Sequence, residues 1–224
     1  MAENNPALKI AADASDLLNK LLGPAAAQLG QVLGYKLYPY TLKNFITTMK
    51  KTERILRAAG LPANPVPPRF LLPFVENSSI EDDDSLQEKW AGLLATASQQ
   101  GDSVSPSFIE TLKQLTPDEA RYFEELRTKD GIHISLEGNI TPYAFGAPWG
   151  APAGCADTFE RLGLIRRVYG IADHESGSDR PEVGHMFAFT DYGGQFLAAC
   201  RGPRPRPATS DMAGGTVIDS EHVS

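Results

Sequence analysis

The chain reads as mainly α: an N-terminal helical region, a helical segment, and then a winged-helix-like α+β unit towards the C-terminal end. Three observations predict this. Apolar residues recur at helical spacing before Gly131, legible helix-start signals precede several of these runs, and past Gly131 alternating apolar residues appear between Gly- and Pro-rich loops. With 224 residues, 42% of them hydrophobic and 22% charged, the chain can bury a substantial core as a soluble globular protein.

Residues 1–60 hold the N-terminal helices. In "ADASDLLNKLL" Leu17, Leu18, Leu21 and Leu22 form the stripe of a core-facing helix, with Asp13 or Ser15 as its cap. Pro24 fits the first turn of a second helix that can run to Gly60, its C-cap. Pro39 must kink or break that helix, because a mid-helix proline loses one backbone bond and clashes with the preceding turn. Residues 61–73, "LPANPVPPRFLLP", carry five prolines and are expected to exclude regular helix and act as a stiff connector.

Residues 74–115 form the helical segment. Leu86, Trp90, Leu93, Leu94 and Ala97 predict an amphipathic helix of about four turns, and Ser105 and Pro106 open the next one. Residues 116–201 form the winged-helix-like unit. There Thr116, Pro117 and Glu119 have the order of a capping box, Ile132, Ile134 and Leu136 alternate as in a strand, "CADTFERLG" is a helix ended by Gly163, "LIRRVYGI" and "HMFAF" are strands, and Thr190 caps a last helix. Residues 202–224 have too little apolar content to fold and are expected to be a disordered tail.

The formal charge of -7 is uneven. Residues 1–60 carry eight basic against four acidic residues, whereas 61–130 carry six against thirteen. An acidic middle repels phosphate backbones, so a nucleic-acid or anionic-membrane contact has to use the N-terminal part or a local patch. Two well-separated cysteines, Cys155 and Cys200, make no disulfide framework, and "MAENNPALKI" lacks the pattern of a signal peptide. The expected setting is cytoplasmic.

The acidic run "EDDD", residues 81–84, invites a metal or catalytic reading. Four consecutive carboxylates at a helix entrance splay around the axis instead of converging on a cation, while helix N-termini favour negative charge. The run therefore reads as a helix start. Cys155, His174, His185 and Cys200 lie too far apart for a compact zinc pattern, no Gly-x-Ser-x-Gly elbow appears, and "GAPWGAPAG" lacks the Lys-Ser or Lys-Thr of a phosphate loop. The chain is thus expected to have no catalytic, cofactor-binding or metal-ligating residues and no cofactor, and not to be an enzyme.

Two contact surfaces remain. Arg161, Arg166 and Arg167 surround the candidate recognition helix of the winged unit, but Asp157, Glu160 and an acidic wing oppose them, so nucleic acid is disfavoured. In "LLGPAAAQLGQVLGY" Ala26, Gly30 and Gly34 recur every fourth residue, a spacing that lets helices approach closely. Tyr35, Tyr38 and Tyr40, followed by Lys43, Lys50, Lys51, Arg54 and Arg57, have the make-up of an interfacial flank. Close packing on a helix or another subunit is the first reading; membrane contact on activation, not constitutive, is the rival.

The succession "IEDDDSLQEKWAGLLATA", "SPSFIETLKQLTPDEA", "FERLGLI" and "FTDYGGQFLAAC" resembles the bacterial abortive-infection alpha family, over roughly residues 10–201. The landmarks are "EKWAGLLA", "RLGLI" and the later T-x-x-G. The resemblance implies a role in phage defence, often beside a protein partner from the same operon, or as a homo-oligomer; it implies no catalytic residues. Trp90, Leu93, Leu94, Leu162, Gly163 and Gly193 are expected at core and turn positions.

Overall fold

The structure is a computed structural model that describes residues 17, 19–21, 39–127, 132–134, 140–141, 154–171 and 183–204. The expectations for residues 22–38, for the segment 142–153 and for the tail from 205 on lie outside these residues.

Pro39 stands at the first position of a helix, α1 (Pro39–Ala58), where no donor is needed from its own backbone. α1 ends as its glycine predicts. Gly60 takes a left-handed φ of 67°, Leu61 N donates to Leu56 O at 2.9 Å and Gly60 N to Arg57 O at 3.0 Å, which together make a Schellman motif.

The proline-rich expectation for 61–73 is corrected: the extended stretch stops at Pro67, and Pro68 opens α2 (Pro68–Ser78). Two of the five prolines stand where a helix start tolerates them. Pro73 lies inside the helix and removes one backbone bond, against which α2 buries Phe70, Leu71, Phe74 and Val75. The remaining linker is pinned down. Ser98 Oγ accepts from Asn64 N at 2.7 Å, Gln99 Nε2 donates to Pro62 O at 2.6 Å, and Val66 N donates to Leu21 O at 2.8 Å.

α3 (Asp84–Gln100) is the axis of the fold. The amphipathic expectation is too narrow here, because every residue from Trp90 to Ser98 is buried. Ala91, Gly92, Ala95, Thr96 and Ser98 face neighbouring elements as tightly as the leucines do, and a helix apolar or small all round belongs inside. After a single 3-10 turn (Gly101–Ser103) come α4 (Ser107–Leu112) and α5 (Pro117–Arg127). The capping box of α5 is reciprocal: Thr116 N donates to Glu119 Oε2 at 2.9 Å and Glu119 N to Thr116 Oγ1 at 3.2 Å.

The C-terminal unit contains β1 (Ile132–Ile134), β2 (Ile140–Thr141), α6 (Cys155–Arg161), β3 (Ile165–Ile171), β4 (Val183–Phe189) and α7 (Asp191–Arg201). The strands form one antiparallel sheet in the order β2-β1-β4-β3, with Ile165 opposite Phe189 and Ile171 opposite Val183 across the β3–β4 hairpin. β2 was not foreseen from the sequence; a two-residue strand is too short for alternation to register.

A single apolar cluster runs from Leu17 and Leu21 through α1–α5 to Cys200. Phe74 meets Trp90 edge-on at 5.6 Å, and Phe123 lies 5.0 Å from Phe159 and 6.2 Å from Phe196, joining α5, α6 and α7. The core is therefore continuous across the connector.

Candidate interaction surface

The acidic run is built into the start of α3. Asp83 is the N-cap: its Oδ1 accepts from Leu86 N at 2.9 Å and from Ser85 Oγ at 2.5 Å. These bonds, the serine hydroxyl first, hold its carboxyl below the usual carboxylate range. Glu81 Oε1 accepts from Asp83 N at 2.9 Å. Asp84 reaches across to α1, where Lys51 Nζ donates to its Oδ1 at 2.6 Å and to its backbone oxygen at 2.9 Å.

That last contact divides the basic residues of α1 into two groups. Lys51 is buried and belongs to the α1–α3 seam, with Glu88 Oε1 at 3.7 Å as a further partner. Lys43, Lys50, Arg54 and Arg57 are exposed and recur at intervals of seven, four and three residues. At 3.6 residues per turn these positions fall on one stripe about 21 Å long. Arg54 is clamped by both oxygens of Glu88 at 2.5 and 2.7 Å, and Arg57 pairs with Glu53 at 2.8 Å. The ammonium groups of Lys43 and Lys50 have no ion pair or hydrogen bond among the described residues. Beside them stands Leu42, 43% exposed, one of two large hydrophobic side chains left exposed among the described residues. In the sequence this set read as the flank of an interfacial segment; what the sequence missed was the split between a buried Lys51 and an open stripe, which depends on α3 packing against α1.

Of the other predicted contact residues, Arg161 and Arg166 have described side chains. Arg161 is held by Gln114 Oε1 at 2.8 Å, Arg166 is exposed on β3, and the side chain of Arg167 lies outside the described residues, as do Ala26, Gly30, Gly34, Tyr35 and Tyr38. No helix among the described residues is long and apolar enough to cross a membrane.

The two thiols are core groups. Cys155 and Cys200 are free and buried, and burial pushes Cys155 up to about 11 and Cys200 up to about 12. Beside Cys200, Glu124 bridges two cations: Arg201 Nε donates to its Oε1 at 3.2 Å, and Lys89 pairs with its other oxygen. Burial pulls the Lys89 amine below its ordinary value, with the Arg201 charge adding to the effect. This triad was not legible in the sequence, because its members come from α3, α5 and α7.

The landmark residues occupy core and turn positions. Trp90, Leu93 and Leu94 are fully buried. Gly163, at φ 69°, closes α6 in a second Schellman motif in which Leu164 N donates to Phe159 O at 2.8 Å. Thr190 then ties two landmarks together. Its Oγ1 accepts from Gly193 N at 2.8 Å and donates to Gly163 O at 2.5 Å, so "RLGLI" and T-x-x-G meet at one junction.

The family model described as abortive infection alpha matches residues 39–200. The match begins at the first residue of α1 and ends in the last turn of α7, leaving out residues 10–38, which the sequence resemblance had included. No curated protein and no solved structure matches the chain. With well over half of its length inside that match, and the landmark motifs packed against one another in order, the chain belongs to the abortive infection alpha family.

Proposed function

We propose that this protein is a non-enzymatic component of a bacterial anti-phage system, acting by binding an acidic protein partner through the outer face of α1. Family membership ties it to abortive infection. The observation that carries the finer reading is the stripe Lys43, Lys50, Arg54 and Arg57 beside exposed Leu42: a chain with a formal charge of -7 presents a basic face on which two exposed lysines have no ion pair or hydrogen bond among the described residues. Such a face selects a negatively charged surface and speeds encounter with it. A non-enzymatic role is supported by the use of the conspicuous chemical groups in packing, since Asp83 caps α3, Asp84 docks α1 and both thiols are core side chains.

The test is a plaque assay with the chain alone and with its genomic neighbours, alongside co-purification of proteins encoded next to it. Lys43→Glu with Lys50→Glu is expected to abolish both protection and co-purification while leaving the thermal unfolding midpoint unchanged. Full protection by that folded variant overturns the reading. Loss of flotation with anionic liposomes, or of a low-salt gel shift, in place of a lost protein partner would transfer the face to a membrane or to nucleic acid.

A further inference from the structure

A cleft of ≈ 470 Å³ opens where α3 and α7 end, walled by the 3-10 turn, the start of α4 and the chain leaving α7. Its volume falls in the range of small-molecule sites. Val104 and Phe108, core side chains only 3% and 5% exposed, form its apolar floor, and the amides of Gln100 and Gln195 stand at it without a hydrogen-bond partner among the described residues. Its charged lining residues, among those described, are Arg201 and Arg204.

The electrostatics there run against the chain's formal charge of -7. Glu124 is the carboxylate that answers Arg201, and it is shared with Lys89, while Arg204 is exposed and has no ion pair among the described residues. Arg201 and Arg204, the two guanidiniums at the cleft, thus have one carboxylate partner between them among the described residues. The nearby Asp102, in the 3-10 turn, is already paired with Arg69 at 2.8 Å. The carbonyl of Ala199, in the last turn of α7, does not offset this, for it accepts from Thr96 Oγ1 at 2.9 Å and from Gly202 N at 3.2 Å.

The arginines are also held in place. Gly202, at φ 79°, lies against Ile55 and the backbone of Gly92, so the chain leaves α7 in one direction and carries Pro203 and Arg204 along the cleft. Arg201 is fixed from the other side by Glu124.

From this we infer that the cleft binds a small phosphorylated molecule, its phosphate on Arg201 and Arg204, its apolar body over Val104 and Phe108, and its polar edge at Gln100 and Gln195. Guanidinium forks match phosphate oxygens in pairs, and a phosphate monoester brings the dianionic group that two arginines at one cleft can share. The site stands apart from the α1 face and does not rest on the proposed partner interaction.

Calorimetry of the full chain with AMP, adenosine and inorganic phosphate at millimolar concentration tests it. AMP is expected to bind, adenosine to give no heat, and inorganic phosphate to bind at least about tenfold more weakly than AMP, the factor that one good contact contributes. Arg204→Ala and Gln195→Ala, both at exposed positions, are each expected to weaken AMP about tenfold without shifting the unfolding midpoint, and Lys50→Ala, on α1, to leave it unchanged. No heat with AMP overturns the inference, as does equal binding of adenosine, equal binding of inorganic phosphate, or AMP binding that Arg204→Ala leaves intact.

Discussion

Gly92 of α3 presses against the carbonyl of Cys200 at the end of α7: a β-carbon on Gly92 would stand 2.0 Å from the Cys200 oxygen and 3.0 Å from Gly202 N. Both neighbours are backbone, so no side chain can swing away to relieve the clash. Gly92→Ala is therefore expected to destabilise the fold by about 3 kcal/mol, at the upper end of overpacking effects, read as a lowered midpoint in thermal or urea unfolding. Gly193→Ala, whose β-carbon would meet Leu164 O at 2.0 Å, should act alike. A wild-type midpoint for Gly92→Ala would mean that α3 and α7 are not in this contact.

This pair also marks where sequence reading stops. The capping box and the helix-ending glycines were legible because each is settled among residues three to five apart: Thr116 with Glu119, Leu61 with Leu56 around Gly60, Leu164 with Phe159 around Gly163. Gly92 sat unnoticed inside "EKWAGLLA" because what makes it glycine is a carbonyl more than a hundred residues away. The same distance hid the Lys89–Glu124–Arg201 triad and the burial of Lys51. α2 was missed for a different reason: prolines were counted by number, whereas only their place along a helix decides whether they are tolerated. Of the candidate surface, the basic residues of α1 were visible, but not that one of them turns inward.

Thr48 is fully buried in α1, and its hydroxyl has no hydrogen-bond partner among the described residues. Asn44 Nδ2, Ser78 Oγ and Trp90 Nε1 share that condition, all in α1, α2 and α3. An unpaired buried polar group costs about 1–3 kcal/mol, and valine keeps the shape of threonine while removing the hydroxyl. Thr48→Val is accordingly expected to stabilise the protein by about 1 kcal/mol or more, seen as a raised unfolding midpoint. A lowered midpoint would show that the hydroxyl is satisfied in solution, as by a bound water.

Asp83 gives a pH signature. Removing the cap by Asp83→Ala should cost about 1 kcal/mol at neutral pH. Because the folded carboxyl sits below its ordinary value, its contribution is fully present above the unfolded carboxylate pKa, about 3.9, and is lost as pH falls through the folded one. The gap between wild type and Asp83→Ala should thus shrink as unfolding is measured at successively lower pH beneath about 4. Asp83→Asn, which still accepts from Leu86 N, should lose less than alanine at neutral pH. A gap that stays constant into acid would assign the cost of Asp83→Ala to something other than its charge.

The thiols provide the opposite dependence. Cys155 is pushed up to about 11 and Cys200 to about 12 by burial, and the thiolate is the reactive form. A disulfide reagent at pH 8 should therefore find almost no titratable thiol in the native protein, and two per chain once denaturant is added. For an acid whose folded pKa is raised, the stabilising difference is complete below the unfolded value and declines as pH climbs past it. Native stability should consequently begin to fall above about pH 8.5, where unfolded cysteines ionise, and replacing Cys200 by Ala should flatten that fall while costing stability at neutral pH through the cavity it leaves in a fully buried position. Rapid native modification of Cys200 at pH 8, read with Cys155 replaced by Ala, would place that thiol at the surface and overturn the packing of α7 on α3.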